Sequence, residues 1–221
     1  RPCVIATSWV SAIFGEYNWL HNTMITTREV FGGYALAVVV GVSLAVLFSW
    51  NTTVSEFLMP LVVSLNMIPK VAMGPIFIVW FDYGLGPNII IAFMISFLPI
   101  LITTTRGLLE VEPELLDLVK SLKGSRWQIF TKIQLPGSLP YIFSGMKVAV
   151  VLAVAGAIVG EFIGSEEGLG YLMQQVQVDL DTPAMFMAVL LITLIGVSLY
   201  GIVILLERIF VKSDSRMENA A

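Results

Sequence analysis

The chain has 221 residues, 57% of them hydrophobic and only 13% charged, with a mean hydropathy of +0.88. Soluble domains carry roughly 25% charged residues, so a water-facing surface of ordinary size is excluded, and apolar residues in long blocks indicate membrane spans rather than one large core. The formal charge of −4 says little as a total, the lone Cys3 excludes an internal disulfide, and His21 has no second metal ligand and reads as an interfacial residue.

The segment opens at Arg1 without a basic, then apolar, then small-residue leader. Residues 1–25 set Trp9, Phe14, Tyr17 and Trp19 among polar neighbours, the pattern of an external or interfacial stretch at headgroup level. Five apolar blocks follow, at about 30–50, 57–81, 88–105, 141–163 and 185–206. Each is near the roughly 20 residues that carry a helix across about 30 Å of hydrocarbon. An unpaired backbone group in lipid costs several kcal/mol, so these blocks are expected to be helices. The expected fold is an all-α polytopic bundle forming one transmembrane domain over 1–221.

In the first block Gly33, Ala37, Gly41 and Ala45 recur every four residues. In the fourth, Gly145, Ala149, Ala153 and Ala157 do the same and end at Glu161, beside a parallel row of Gly156, Gly160 and Gly164. Such ridges let helix backbones approach closely; packing within the subunit and a pathway or dimer face are both open. The second block holds Pro60, Pro69, Gly74 and Pro75, and the third Pro99, all expected kink sites. Lys70, directly after Pro69, either faces a cavity or snorkels to the interface. Glu161 is either a gate or pathway residue or a plain interfacial carboxylate.

The connectors assign the sides. Arg106, Lys120, Lys123, Arg126 and Lys132 crowd the loop between the third and fourth blocks, and Arg208, Lys212 and Arg216 the C-terminal tail. Residues 164–184 have no Lys or Arg and carry Glu166, Glu167, Asp179 and Asp181. Basic loops stay in the cytoplasm, so residues 106–138 and the tail at 211–221 are inside and residues 1–25 outside. A further helix before Arg1 would deliver the chain there, giving six spans in the full-length protein.

The basic loop carries the most specific pattern. Pro113, flanked by Glu112 and Glu114, suits a helix start, with that helix running to about Leu122 and breaking at Gly124. Ser125 and Gln128 form a capping box for a second short helix. Trp127, Phe130 and Ile133 give it an apolar face, Pro136 is expected to end it, and Pro140 to open the next span. Such a knob either docks into a partner or packs on its own spans.

The run from Asp117 through Lys123-Gly124-Ser125-Arg126-Trp127-Gln128 to Ile133-Gln134-Leu135-Pro136 resembles the cytoplasmic signature loop of binding-protein-dependent ABC permeases. That signature reads Glu-Ala-Ala, three residues, Gly, nine residues, Ile-x-Leu-Pro. Aligned on Ile133, its Glu falls on Asp117 and its two Ala on Leu118 and Val119, while its Gly falls on Lys123, one place before Gly124. Glycine permits a left-handed backbone that Lys adopts reluctantly, so the turn is expected to be shifted by one residue. Ile68-Pro69-Lys70-Val71-Ala72, Pro75 to Phe81, Leu139-Pro140-Tyr141-Ile142-Phe143, and Gly160-Glu161-Phe162 followed by Gly168-Leu169-Gly170-Tyr171 resemble the nitrate/sulfonate/taurine branch over about 25–210.

The resemblance implies the type I ABC importer permease fold in a bacterial inner membrane. It implies a coupling loop in which Asp117, Leu118, Val119, Gly124, Ser125, Arg126 and Trp127 meet a separate ATPase subunit. It also implies a periplasmic solute-binding protein, a second permease copy and surrounding lipid as partners, with no nucleic acid. Lys70, Glu161, Gly168 and Gly170 are the pathway or gate candidates. The sequence has no G-x-x-x-x-G-K-[ST] loop, so this chain is expected to bind no cofactor and to be no enzyme, with ATP and Mg on the partner. Sulfonate, nitrate, taurine or heteroaromatic vitamin precursors are the expected solutes. The rival reading, an ion-driven secondary carrier, would draw on Lys70, Lys147 and Glu161.

Overall fold

The computed structural model describes residues 17–50, 52–81, 84–110, 119, 121 and 124–211, and all regular structure among them is helical. Helix α1, Trp19–Trp50, starts well before its apolar block. Asn22, Thr26 and Glu29 lie buried on the face that continues through Gly33, Ala37, Gly41 and Ala45, so one stripe is polar at its outer end and small below. Trp19 is itself buried, while Trp9 and Phe14 lie outside the described residues.

The second block is not one straight span. Helix α2, Thr52–Asn66, is followed by a 3₁₀ turn, Lys70–Met73, and by α3, Gly74–Phe81, with a 71° bend between the halves. Pro69 has no N–H to continue α2 and holds Ile68 off the helical region. Pro60 lies inside α2 without breaking it. Pro75 falls in the first turn of α3, where a missing donor is harmless.

Helix α4, Leu85–Leu109, runs unbroken through Pro99. Helix α5, Arg126–Gly164, corrects two expectations: Pro136 does not end a separate short helix and Pro140 does not begin the span. A π turn over Phe130–Gln134, closed by Leu135 N–H on the Phe130 carbonyl, widens the helix beside Pro136, so the ring is accommodated rather than expelled. Across the outer connector comes α6, Leu169–Val178, and then α7, Thr182–Phe210, capped by the Asp181 carboxylate on the Ala184 N–H at 3.2 Å. Among the described residues four helices are long and apolar enough to cross a bilayer, and the bent pair makes a fifth crossing if counted as one.

The helix ends gather at two poles, termed inner and outer after the orientation expected from the basic loops. At the inner side Trp50 of α1 packs on Trp127 and Phe130 of α5, and Gln134 donates to the Leu108 carbonyl of α4 at 3.3 Å. At the outer side Gly168 N–H donates to the Asn22 side chain at 2.8 Å. The protein is therefore a multi-pass membrane helix bundle.

Helix α4 is gripped on two sides by the small-residue ridges. A Cβ at Gly33 of α1 would stand 2.5 Å from the Ala92 Cβ, and one at Gly156 of α5 2.8 Å from the Ala92 Cα. Both ridges thus pack within the subunit, where dispersion and close backbone approach replace the absent hydrophobic drive. Helix α7 leans on α5 and is tied to it by Lys147, whose Nζ lies 2.7 Å from Glu207 Oε2. Lys147→Met should leave Glu207 uncompensated and lower stability by about 2 kcal/mol, less than for a fully buried pair. The double change K147M/E207M should recover most of it in detergent unfolding; equal losses in the single and double variants would contradict the pairing.

Candidate functional site

Two places collect the residues singled out by sequence. The first is the inner end of α5. Ser125 caps it through both arms of a capping box: Gln128 N–H donates to Ser125 Oγ at 3.3 Å, and Ser125 N–H donates to Gln128 Oε1 at 2.8 Å. The expected capping box is present. Gly124 N–H donates to the Val119 carbonyl at 2.9 Å, which folds the chain back just before the cap. A Cβ on Gly124 would run into the Val119 side chain and carbonyl. Gly124 does not adopt a left-handed φ; the turn needs glycine for close approach, not for handedness. Asp117, Leu118 and Lys123 lie outside the described residues.

Beyond the cap the expected apolar face divides. Phe130 is buried under Trp50, Ile133 is half-buried, and Trp127 stays 60% exposed beside it. Trp127 and Arg126 form one wall of a cleft of about 450 Å³ whose floor is Trp50 and Phe130. The segment therefore meets the second of the two alternatives in part, and leaves one corner uncovered. Its Phe130 side packs on the subunit's own spans, and its Arg126–Trp127 corner stays free.

The second place is the outer end. Glu161, on the last turns of α5, is 1% exposed. Its Oε1 accepts from the Thr26 hydroxyl at 2.5 Å and its Oε2 from the Gly170 N–H. Thr26 Oγ1 in turn accepts from Leu169 N–H at 2.8 Å, and Asn22 accepts from Gly168 N–H. The amides of Gly168, Leu169 and Gly170 at the start of α6, which no helix bond satisfies, are thus taken by oxygens of α1 and α5.

Gly168 has φ +109°, open to glycine and resisted by other residues. A Cβ on Gly170 would lie 2.7 Å from Glu161 Oε2. The structure therefore brings together Glu161, Gly168 and Gly170. It does not bring Lys70 among them: Lys70 Nζ donates to the Asn66 carbonyl at 2.8 Å, closing the end of α2.

Sequence reasoning missed Glu29, which is wholly buried and meets Glu161 across α1 and α5. Glu29 Oε1 accepts from Asn88 Nδ2 of α4 at 2.8 Å. The signal was available, since Asn22, Thr26 and Glu29 extend the spacing of the Gly33–Ala45 ridge outward. His21 sits at the rim, its Nε2 3.3 Å from Glu167 Oε1, both well exposed. The cluster is a clamp on α6, buried from solvent and built from four elements.

Comparison with known proteins agrees with this architecture. Residues 37–212 match the family of binding-protein-dependent transport system inner membrane components. The formylaminopyrimidine transport permease ThiX of Halalkalibacterium halodurans is 33% identical over 177 residues, 80% of this chain and 71% of that protein. The riboflavin transport system permease RibX of Chloroflexus aurantiacus is 33% identical over 214 residues, 97% of this chain and 80% of its own. The putative aliphatic sulfonates permease SsuC of Bacillus subtilis is 27% identical over 207 residues, covering 89% and 75%. Among solved structures, an inward-facing MetNI methionine ABC transporter chain superposes with a TM-score of 0.72 at 19% identity, over 86% of this chain and 94% of its own. The chain belongs to the binding-protein-dependent ABC transporter permeases and is the membrane-spanning subunit of an importer.

Proposed function

We propose that two copies of this chain form the path for a small solute through a bacterial inner membrane. An external binding protein delivers the solute, and an ATPase gripping the inner end of α5 drives its passage. The single observation that carries the coupling half is the capped, glycine-dependent turn that leaves Arg126 and Trp127 free at the inner end of α5. A corner so well ordered and so incompletely covered suits docking. Val119, Gly124, Ser125, Arg126 and Trp127 are the contact residues of this reading, with Asp117 and Leu118 before them. ATP and Mg belong to the ATPase, and this chain holds no cofactor.

The second copy is argued from packing. Gly33 and Gly156 bring α1 and α5 against Ala92 of α4 so closely that no solute fits between those helices. The passage must then run along an outer face of the subunit, and a wall on the other side completes it. Relatives named for formylaminopyrimidine and riboflavin are 33% identical and the sulfonate relative 27%, which favours a heteroaromatic vitamin precursor over a sulfonate. The proposal is tested in vesicles holding the full-length chain, its ATPase and its binding protein. ATP-dependent uptake of labelled formylaminopyrimidine or riboflavin is expected, with none when the ATPase is omitted. Uptake driven by an ion gradient without the ATPase would overturn it.

A further inference from the structure

The contact between Glu29 and Glu161 has no place in the coupling reading. Glu29 is 0% exposed and Glu161 1%. Asn88 satisfies one Glu29 oxygen, but Oε2 accepts from no N–H or O–H among the described residues. The carboxyl that meets Glu29 is Glu161, which Thr26 holds one turn along α1 from Glu29. An ionised carboxyl only accepts. Two of them cannot bond to each other unless one carries hydrogen, and buried like charges in contact repel strongly.

Among the described residues the surroundings offer no counter-charge. On α1, Arg28 is exposed and His21 is engaged with Glu167 at the rim. On α4 the facing group is neutral Asn88. From the outer connector Glu166 and Glu167 line a small cleft of about 180 Å³ that reaches Glu29, and both add negative charge. Helix α6 presents only backbone amides, and Asp181 before α7 is engaged with Tyr17 at 3.3 Å. No group of three acidic, His or Cys side chains suited to a metal ion occurs among the described residues.

We infer that Glu29 and Glu161 form a binding site for one proton, shared between the two carboxyls, which keeps α6 docked on α1 and α5. With the proton in place Glu161 keeps its acceptor oxygens for Thr26 and Gly170. Without it, repulsion from Glu29 pushes Glu161 off those donors and frees the start of α6. The sign follows: docking is complete while the proton is held and weakens as pH rises through the point at which it leaves.

The test is difference infrared spectroscopy on the intact full-length complex in lipid, in water and in heavy water. The wild type minus Glu29→Gln is expected to show one neutral carboxylic C=O band that shifts on deuteration. It should be missing from both E29Q and E161Q, because the new amide gives the remaining carboxylate its donor. In wild type alone the band should vanish on raising pH, and thermal stability should fall over the same range while E29Q stays flat. No such band in wild type, or one that persists in both single variants, would overturn the inference; a water or a sodium ion between two ionised carboxylates gives the first of these. The measurement reads neither transport nor ATP hydrolysis, so it stands apart from the coupling proposal.

Discussion

Glu161→Ala should strip the outer end of its organising acceptor and yield little folded protein in the membrane. The change removes the acceptor of the Gly170 N–H, leaves the Thr26 hydroxyl only the Asn22 carbonyl at 3.1 Å, and leaves Glu29 without its partner, all buried. A buried donor left unsatisfied costs about 1–3 kcal/mol, so the sum is about 4 kcal/mol against a total stability of about 5–15. At about 2–4 °C per kcal/mol for a chain of this size, unfolding in detergent should come about 10 °C earlier. Glu161→Gln retains one acceptor oxygen and should fall between. An alanine variant that melts with the wild type would show that the outer clamp does not hold the fold.

The second large effect is expected at the inner end. Gly124→Val places a branched side chain where Val119 already sits, so the turn opens and the Ser125 cap shifts with Arg126 and Trp127. The spans are untouched, and the variant should insert normally. Solute-stimulated ATP hydrolysis by the assembled complex should drop at least tenfold, about 1.4 kcal/mol of lost coupling. Arg126→Ala should lower it less, since it removes one exposed charge and leaves the turn intact. Full stimulation in the valine variant would count against docking at this corner.

How much of this was legible depended on the kind of signal. The apolar blocks of α4 and α7 and the Ser125–Gln128 cap were readable because each rests on local spacing alone. The extent of α1 was not, because Asn22, Thr26 and Glu29 look like the polar flank of a span. They are buried only because α5 and α6 bring Glu161 and three amides to meet them.

Prolines were equally ambiguous in sequence. Pro60, Pro99, Pro136 and Pro140 lie within continuous helices, whereas Pro69 marks a 71° bend. What separates them is the neighbourhood. A π turn precedes Pro136, while Pro69 stands three residues past the end of α2, after Met67 and Ile68. The small-residue ridges gave the right spacing but not the partner. That α4 is what both ridges grip depends on contacts distant in the chain.

The 39 residues of Arg126–Gly164 make one rod, about 58 Å long at 1.5 Å per residue. Trp127 stands at one tip and Glu161 near the other, so the rod mechanically joins the exposed Arg126–Trp127 corner and the buried clamp on α6. The π turn at Phe130–Gln134 is a joint between the Trp127 tip and the rest of the rod. A tilt imposed above that joint swings the far tip without any relay of side chains in between, as a seesaw raises one seat when the other is pressed.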